Sequence, residues 1–317
     1  MLHITNGDAA GALISKANLG GDMLPWNDVL HEGAVRDGLT LEELSEERAQ
    51  FIAACGWGEL NDVRAEFRSR NERLKRSADE EVVLWFEHDL YDQLQLIQLL
   101  DWFADRNPTK LTLICVGEHE NVADFHGLGQ LNQQQMSELF PLRREVTPEQ
   151  FALARRAWAA FGAEDPRGIE WLLEEGTNAL PFLRAALLRH LQQFPSASNG
   201  LSRTESNILR ALDARGRCAM PELFEASQAE EESRFLGDST FAQMYLEPLC
   251  RCAVPAVRSS VGGEIFEITD TGRAALREAE DHIERNGIDC WRGGAHLHGV
   301  ATWRWHEADQ RLVCAVD

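Results

Sequence analysis

Apolar blocks and polar turns alternate through the first part of the chain. Leu2 to Thr5 is a short apolar run that ends in Asn6-Gly7-Asp8, and the small-residue stretch Ala9 to Ala17 follows it. Met23 to Val29 is a second run, with Asn27, Asp28, His31 and Glu32 at its end. Val82 to Phe86 is a third. It stops abruptly at Glu87-His88-Asp89, and apolar residues then recur at helical spacing to Phe103. Leu111 to Val116 is a fourth. Short apolar runs bounded by turn residues read as buried strands, and the periodic stretches between them as helices. Strands alternating with helices predict a parallel sheet with right-handed crossovers, a Rossmann-like α/β domain over residues 1–145. Parallel strands put their carboxyl ends on one edge, where open α/β sheets bind ligands.

Further helices carry recognisable starts. Thr40 with Glu43 forms a capping box, as does Ser202 with Glu205, and Thr147-Pro148-Glu149-Gln150 combines a capping threonine with proline at the first helical position. Residues 146–198 read as a helical connector whose large apolar side chains, including Trp158, Phe161, Trp171 and Phe182, form core faces. Pro195 to Gly200 is a linker-like stretch. Beyond it, helices over Ser202–Asp213, Pro221–Glu232 and Ser239–Cys250 are expected. Strands Val254–Ser259 and Glu264–Thr269 and a helix over Thr271–Arg285 complete a winged-helix-like outline within residues 199–317. Val300–Trp305 and Arg311–Val316 add short tail strands.

Charge changes the functional picture. The 317 residues carry a formal net charge of −21, which repels phosphate backbones. Arg64 to Arg76 is the most basic stretch, and its interleaved Glu66 and Glu72 read as a solvated helix face, the alternative being a face that meets an anionic ligand or partner. In the winged-helix-like part the second helix carries Glu222, Glu225, Glu230, Glu231 and Glu232, and the third offers only Gln243 and Arg251 as base-reading side chains. These charges argue against DNA and favour a protein partner or self-association. No run approaches the ~18–20 apolar residues of a membrane span, and the start of the chain lacks the basic and apolar regions of a signal peptide. Seven scattered cysteines without a C-x-x-C fit reduced thiols. A cytoplasmic protein without a membrane segment is expected.

The candidate chemistry lies at the strand ends. Catalytic candidates are His88, Asp89 and Asp8; ligand-binding candidates are Asn6, Gly7, Asp28, His31, Glu87, Asp92 and Gln93. Gly7 can supply a positive φ, and Asp8 or Asp89 can cap the helix behind it. Histidine titrates near neutral pH. The carboxylates offer the oxygen ligands that a divalent cation such as magnesium prefers, although no spacing is diagnostic of a metal. Taken singly, Asp89 with Asp92, and Asp8, are better explained as helix caps and first-turn acids, and Asn27 and Asp28 as closing a turn. Their convergence on one sheet edge is what suggests a site. Cys115 sits inside an apolar strand and reads as inert. Cys290, His296, His298 and His306 contain an H-x-H pair but lack the paired-cysteine spacing of a structural zinc site.

The segments HITNGDAAGAL, WNDVLHEG and LWFEHDLYDQLQLIQLLDW, followed later by GLGQL, LPFLRAALLRHL, NGLSRTE and the W-R-W tail, resemble an uncharacterised bacterial family catalogued as domain of unknown function 1835. The resemblance covers most of the chain. It implies a two-part intracellular bacterial protein and no particular activity. The residues themselves suggest an enzyme or small-molecule binder for a nucleotide- or phosphate-containing ligand; the alternative is a ligand-sensing regulator whose winged helix contacts DNA or a partner protein.

Overall fold

The computed structural model describes residues 1–106, 109–260 and 262–314. It divides into two compact units, Met1–Leu187 with Gly293–Ala295, and Leu188–Arg292 with the tail from His296. The division falls inside a helix, Leu183–Leu191, upstream of the Pro195–Gly200 stretch.

The first unit is built on β1 (Leu2–Thr5), α1 (Asp8–Lys16), β2 (Asp22–Pro25), the two-residue β3 (Gly33–Ala34), α2 (Leu41–Ala54), α3 (Leu60–Lys75), β4 (Glu81–Glu87), α4 (Leu90–Ala104), β5 (Lys110–Val116), α5 (Gln133–Leu139), β6 (Arg144–Glu145), α6 (Pro148–Gly162) and α7 (Arg167–Glu175). Its five-stranded sheet has the order β2-β1-β4-β5-β6. The first four strands are parallel and the short β6 is antiparallel. The four apolar blocks therefore form one mostly parallel sheet, as their alternation with helices predicts. β2 stops at Pro25 rather than running to Val29. Trp26 donates its amide to Thr5 O at 2.8 Å, and the chain then turns away.

Alternating side chains of β4 explain its unbroken apolar run, because parallel strands are covered on both faces. Val83 and Trp85 join Ile14, Ile114, Leu128 and Met136 in one core cluster. Val82, Leu84 and Phe86 are fully buried on the opposite face. The expected capping boxes at Thr40 and Thr147 are present. Gly56 at φ 72° ends the turn after α2 and separates it from α3. Arg64 pairs with Glu46, Lys75 with Glu42, and Arg73 with Glu80 and Asp22. Three of the six basic side chains of the stretch are thus held in intramolecular pairs, and a fourth, Arg70, is buried over the Trp26 ring.

Two expectations for the connector and second unit need correction. Trp171 is 56% exposed. In α7 the buried positions are Ile169 and Leu172, and Trp171 falls on the outer face of that short helix. The helix expected over Thr271–Arg285 is broken into α13 (Asp270–Leu276) and α14 (His282–Asn286), with Glu278 at φ 58° between them.

The second unit contains α9 (Arg203–Arg215), β7 (Arg217–Ala219) and α10 (Met220–Gln228), then helical turns over 238–251 with a π-helical segment Phe241–Leu246. β8 (Val257–Ser259) and β9 (Ile265–Ile268) follow. β7, β9 and β8 form an antiparallel three-stranded sheet in that order. β7 is an addition to the two expected strands. Ser202 and Glu205 form the predicted capping box. Buried Arg189 donates to both carboxylate oxygens of Glu231 at 2.7 Å. In the tail, Trp303–His306 pairs antiparallel with Arg311–Cys314; the end of the strand expected to Val316 lies outside the described residues. Among the described residues no helix is long and apolar enough to cross a membrane.

Candidate functional site

The turn between β4 and α4 folds three carboxylates together. Asp89 caps α4, its Oδ1 accepting from the Asp92 amide at 3.1 Å. Asp92 turns back over the same turn. Its Oδ1 accepts from the Glu87 amide at 2.7 Å, and its Oδ2 accepts from Asn6 Nδ2 at 2.8 Å. Gln93 Nε2 donates to Glu87 O at 2.6 Å. One carboxylate oxygen each from Glu87, Asp89 and Asp92 lies within 4.8 Å of the others. These residues are only 5, 4 and 1% exposed.

Burial disfavours their charged forms, and Glu87 raises Asp89, and both raise Asp92, because like charges interact strongly away from water. Desolvation pushes the Glu87 carboxyl up to about 7. Desolvation and then Glu87 push Asp89 up to about 8. Asp92 is held well above the usual range by its burial, followed by Asp89 and Glu87.

A second segment closes over Glu87. The Leu128 amide donates to Glu87 Oε1 at 2.6 Å. A Cβ at Gly127 would stand 2.2 Å from Glu87 Oε2, so a side chain there would have to displace the Glu87 carboxylate or the segment itself. This gives Gly127-Leu-Gly129 a structural purpose that its sequence alone does not disclose. Tyr91, in the first turn of α4, donates its hydroxyl to Asn6 O at 3.2 Å and sets its ring edge-on to His31 at 6.0 Å. The strand-end residues Asn6, Glu87, Asp89, Asp92 and Gln93 thus form one hydrogen-bonded assembly.

The side chains of the remaining predicted site residues have other partners, His31 packing on Tyr91. Asp28 is fully buried in an ion pair with Arg48, Nε to Oδ1 at 2.9 Å. Arg48 also donates to Glu32 O at 2.7 Å and Val29 O at 2.8 Å, fastening the whole turn after β2. Gln95 Nε2 donates to Asp28 O at 3.1 Å, so the turn is tied to α4 through its backbone. Arg48 was the residue to find in the sequence, because it sits four positions after Leu44 on the buried stripe of α2. A charge on such a stripe requires a partner.

Asp8 is exposed, and its carboxylate accepts from Asn27 Nδ2 at 3.3 Å. It does not cap α1. The N-cap is Gly7, in extended conformation at φ 175°, with no side-chain cap. Gly7 therefore does not supply the expected positive φ. Thr5 Oγ1 donates to Gly7 O at 2.8 Å and holds the turn instead.

The His88 ring lies 6.3 Å from Phe125 and 6.0 Å from Phe182 between centroids, and its Nδ1 has no hydrogen-bond partner among the described residues. Burial lowers its pKa. Adjacent residues of an extended segment point to opposite sides, which separates His88 from the Glu87 carboxylate. Cys115 lies beside Gln93 Nε2 at 3.4 Å, and burial pushes its thiol up to about 12, in keeping with an inert sulfur. A cleft of about 330 Å³ lies elsewhere, between α2 and α3, and is lined by paired charges including Glu46, Arg64 and Lys75.

Chemically, the turn offers clustered oxygen donors able to hold a hard cation, and carboxyl groups that titrate near neutral pH and could exchange a proton. No protein-family model matches the chain, and no curated protein matches it.

Proposed function

We propose that the first unit is a Rossmann-like domain that binds a small nucleotide- or phosphate-containing molecule at its strand-end edge, as an enzyme or a binding protein. Glu87, Asp89 and Asp92 would hold a divalent cation such as magnesium between the protein and the phosphate. The observation that carries this reading is the gathering of three buried carboxylates, with oxygens within 4.8 Å of one another, at the end of a central parallel strand. Buried acids require compensation by protons or by a cation. An all-oxygen set suits magnesium or manganese. A phosphate could not approach these acids, in a chain of net charge −21, without such a cation.

When bound, the ion would supply charge neutralisation and polarise a phosphoryl oxygen. Asn6 and Gln93 position the turn that presents the carboxylates. Leu128 must release Glu87 for a ligand to reach that oxygen. The family resemblance, and with it a cytoplasmic bacterial setting, belongs to the same proposal.

The second unit is read as a winged-helix-like module, on the order of its helices and its small antiparallel sheet. Its second helix ends at Gln228 rather than Glu232. That helix carries Glu222 and Glu225 and no basic residue, while Glu231 and Glu232 pair with Arg189 and Arg203. Arg251 of the third helix is paired with Glu247. These charges favour a protein contact over DNA. The regulator reading therefore stands second, with a protein as the partner.

A thermal-shift titration of the full chain tests the site. Magnesium or manganese with a nucleoside phosphate should raise the Tm of the wild type by roughly 1.5 °C for each kcal/mol of linkage in a chain of 317 residues. Glu87→Gln and Asp89→Asn should abolish the rise. An unresponsive wild type, or variants that respond equally, would overturn the assignment.

A further inference from the structure

The tail carries a second set of metal-ligating side chains, unconnected in chemistry with the carboxylate turn. β10 (Ile288–Gly293) and β11 (Ala295–Gly299) are neighbouring strands of one sheet. In β11 exposed and buried residues alternate, Ala295 and Leu297 in, His296 and His298 out. The period of two puts both imidazoles on the same face. Asp289 of β10 meets them there. Its Oδ1 lies 2.7 Å from His296 Nε2 and its Oδ2 lies 3.7 Å from His298 Nδ1. The three ligating atoms lie within 4.8 Å of one another.

The zinc set considered from sequence is not the one assembled. His306 pairs with Asp309 at 3.2 Å, and Asp289 joins the two remaining histidines. A carboxylate that could not be singled out among the chain's many acids completes the group.

We propose that Asp289, His296 and His298 form a binding site for a divalent first-row transition ion of the zinc, nickel or copper type. Imidazole nitrogen is the ligand such ions favour, whereas magnesium and calcium prefer oxygen alone. Three protein ligands leave a coordination position for water or an exogenous ligand. Zinc ligands at ~2.0–2.2 Å in tetrahedral geometry stand roughly 3.4 Å apart. Exposed side chains reach that spacing by small rotations, without moving the strands that carry them. The ion takes the place of the hydrogen now shared between Asp289 and His296, and the aspartate then serves as ligand. Trp291 fixes the orientation of one ligand, stacking on the His296 ring at 4.5 Å between centroids and 7° between planes.

That stacking also provides the readout. Nickel or copper bound at His296 should quench Trp291 emission, and zinc should compete the quenching away. The full chain, freed of metal, is titrated with nickel while tryptophan fluorescence and heat are followed together. One equivalent is expected, with quenching absent in Trp291→Phe but binding heat retained. The double variant His296→Ala/His298→Ala should weaken binding by at least about tenfold, the scale on which loss of metal-site residues acts. Asp289→Asn should weaken it less, and His306→Ala, outside the group, should leave it unchanged. Unchanged binding in the double histidine variant, or no nickel binding by the wild type, would overturn the proposal. Loss of binding in Asp89→Asn would assign the ion to the carboxylate turn instead.

Discussion

Asn6 donates its side-chain amide to Asp92 at 2.8 Å across 86 residues of sequence. This bond fastens the end of β1 to the first turn of α4, and the Tyr91 hydroxyl reinforces it at the Asn6 carbonyl. The carboxylate turn is therefore shaped by two neighbouring strands rather than by local capping alone. Asn6→Ala leaves a buried acceptor short of one partner and should destabilise the protein by about 1–3 kcal/mol. Urea denaturation measures this, and a neutral substitution would show that the bond has no structural role.

The raised carboxyl groups make a signed prediction about pH. Glu87 at about 7 and Asp89 at about 8 keep protons in the folded chain that the unfolded chain loses near pH 4. The unfolded state then binds fewer protons, so stability falls as pH rises. The contribution of these neutral acids is complete below about pH 4 and is lost progressively towards about pH 8. Asp89→Asn cannot ionise, yet its Oδ1 can still accept from the Asp92 amide. Its Tm relative to wild type should climb steadily between pH 5 and pH 8.5, and a difference independent of pH would contradict the burial argument.

Arg48 and Asp28 make a structural pair, and removing one partner strands a buried charge. Arg48→Ala should cost about 3–5 kcal/mol. Replacing both residues together with apolar side chains should recover much of that loss. If the double substitution cost the sum of the two single substitutions, the pair would not be coupled as the geometry requires.

Gly127 approaches the Glu87 carboxylate so closely that an added Cβ would stand 2.2 Å from its Oε2. Gly127→Ala must displace either the 125–131 segment or Glu87, at about 1–3 kcal/mol by analogy with overpacked cores. Hydrogen exchange at the Leu128 amide should accelerate in this variant, because its bond to Glu87 is the contact most directly strained. Unaltered exchange would place the adjustment elsewhere.

What the sequence made legible is local. β4 and β5 were readable because both faces of each are buried and their apolar runs are nearly unbroken. The capping boxes at Thr40, Thr147 and Ser202 were readable because a cap is decided within four residues. Glu87, Asp89 and Asp92 were readable as neighbours because one turn carries all three. The role of Asp28 was hidden because it depends on Arg48, which approaches only when α2 packs. The break at Glu278 has no glycine or proline to announce it. β7 has three residues and becomes a strand only by pairing with β9. The approach of Leu128 to Glu87 spans 41 residues and depends on how the segment after β5 folds back.

The central claim is that Glu87, Asp89 and Asp92 together hold a divalent cation beside a phosphate-bearing ligand. Calorimetric titration of manganese into the His296→Ala/His298→Ala protein, with excess AMP present, tests it most directly because the imidazole ligands in the tail have been removed. One equivalent should bind, and adding Asp89→Asn should abolish that binding. No binding in the first protein, or equal binding in both, would contradict the claim.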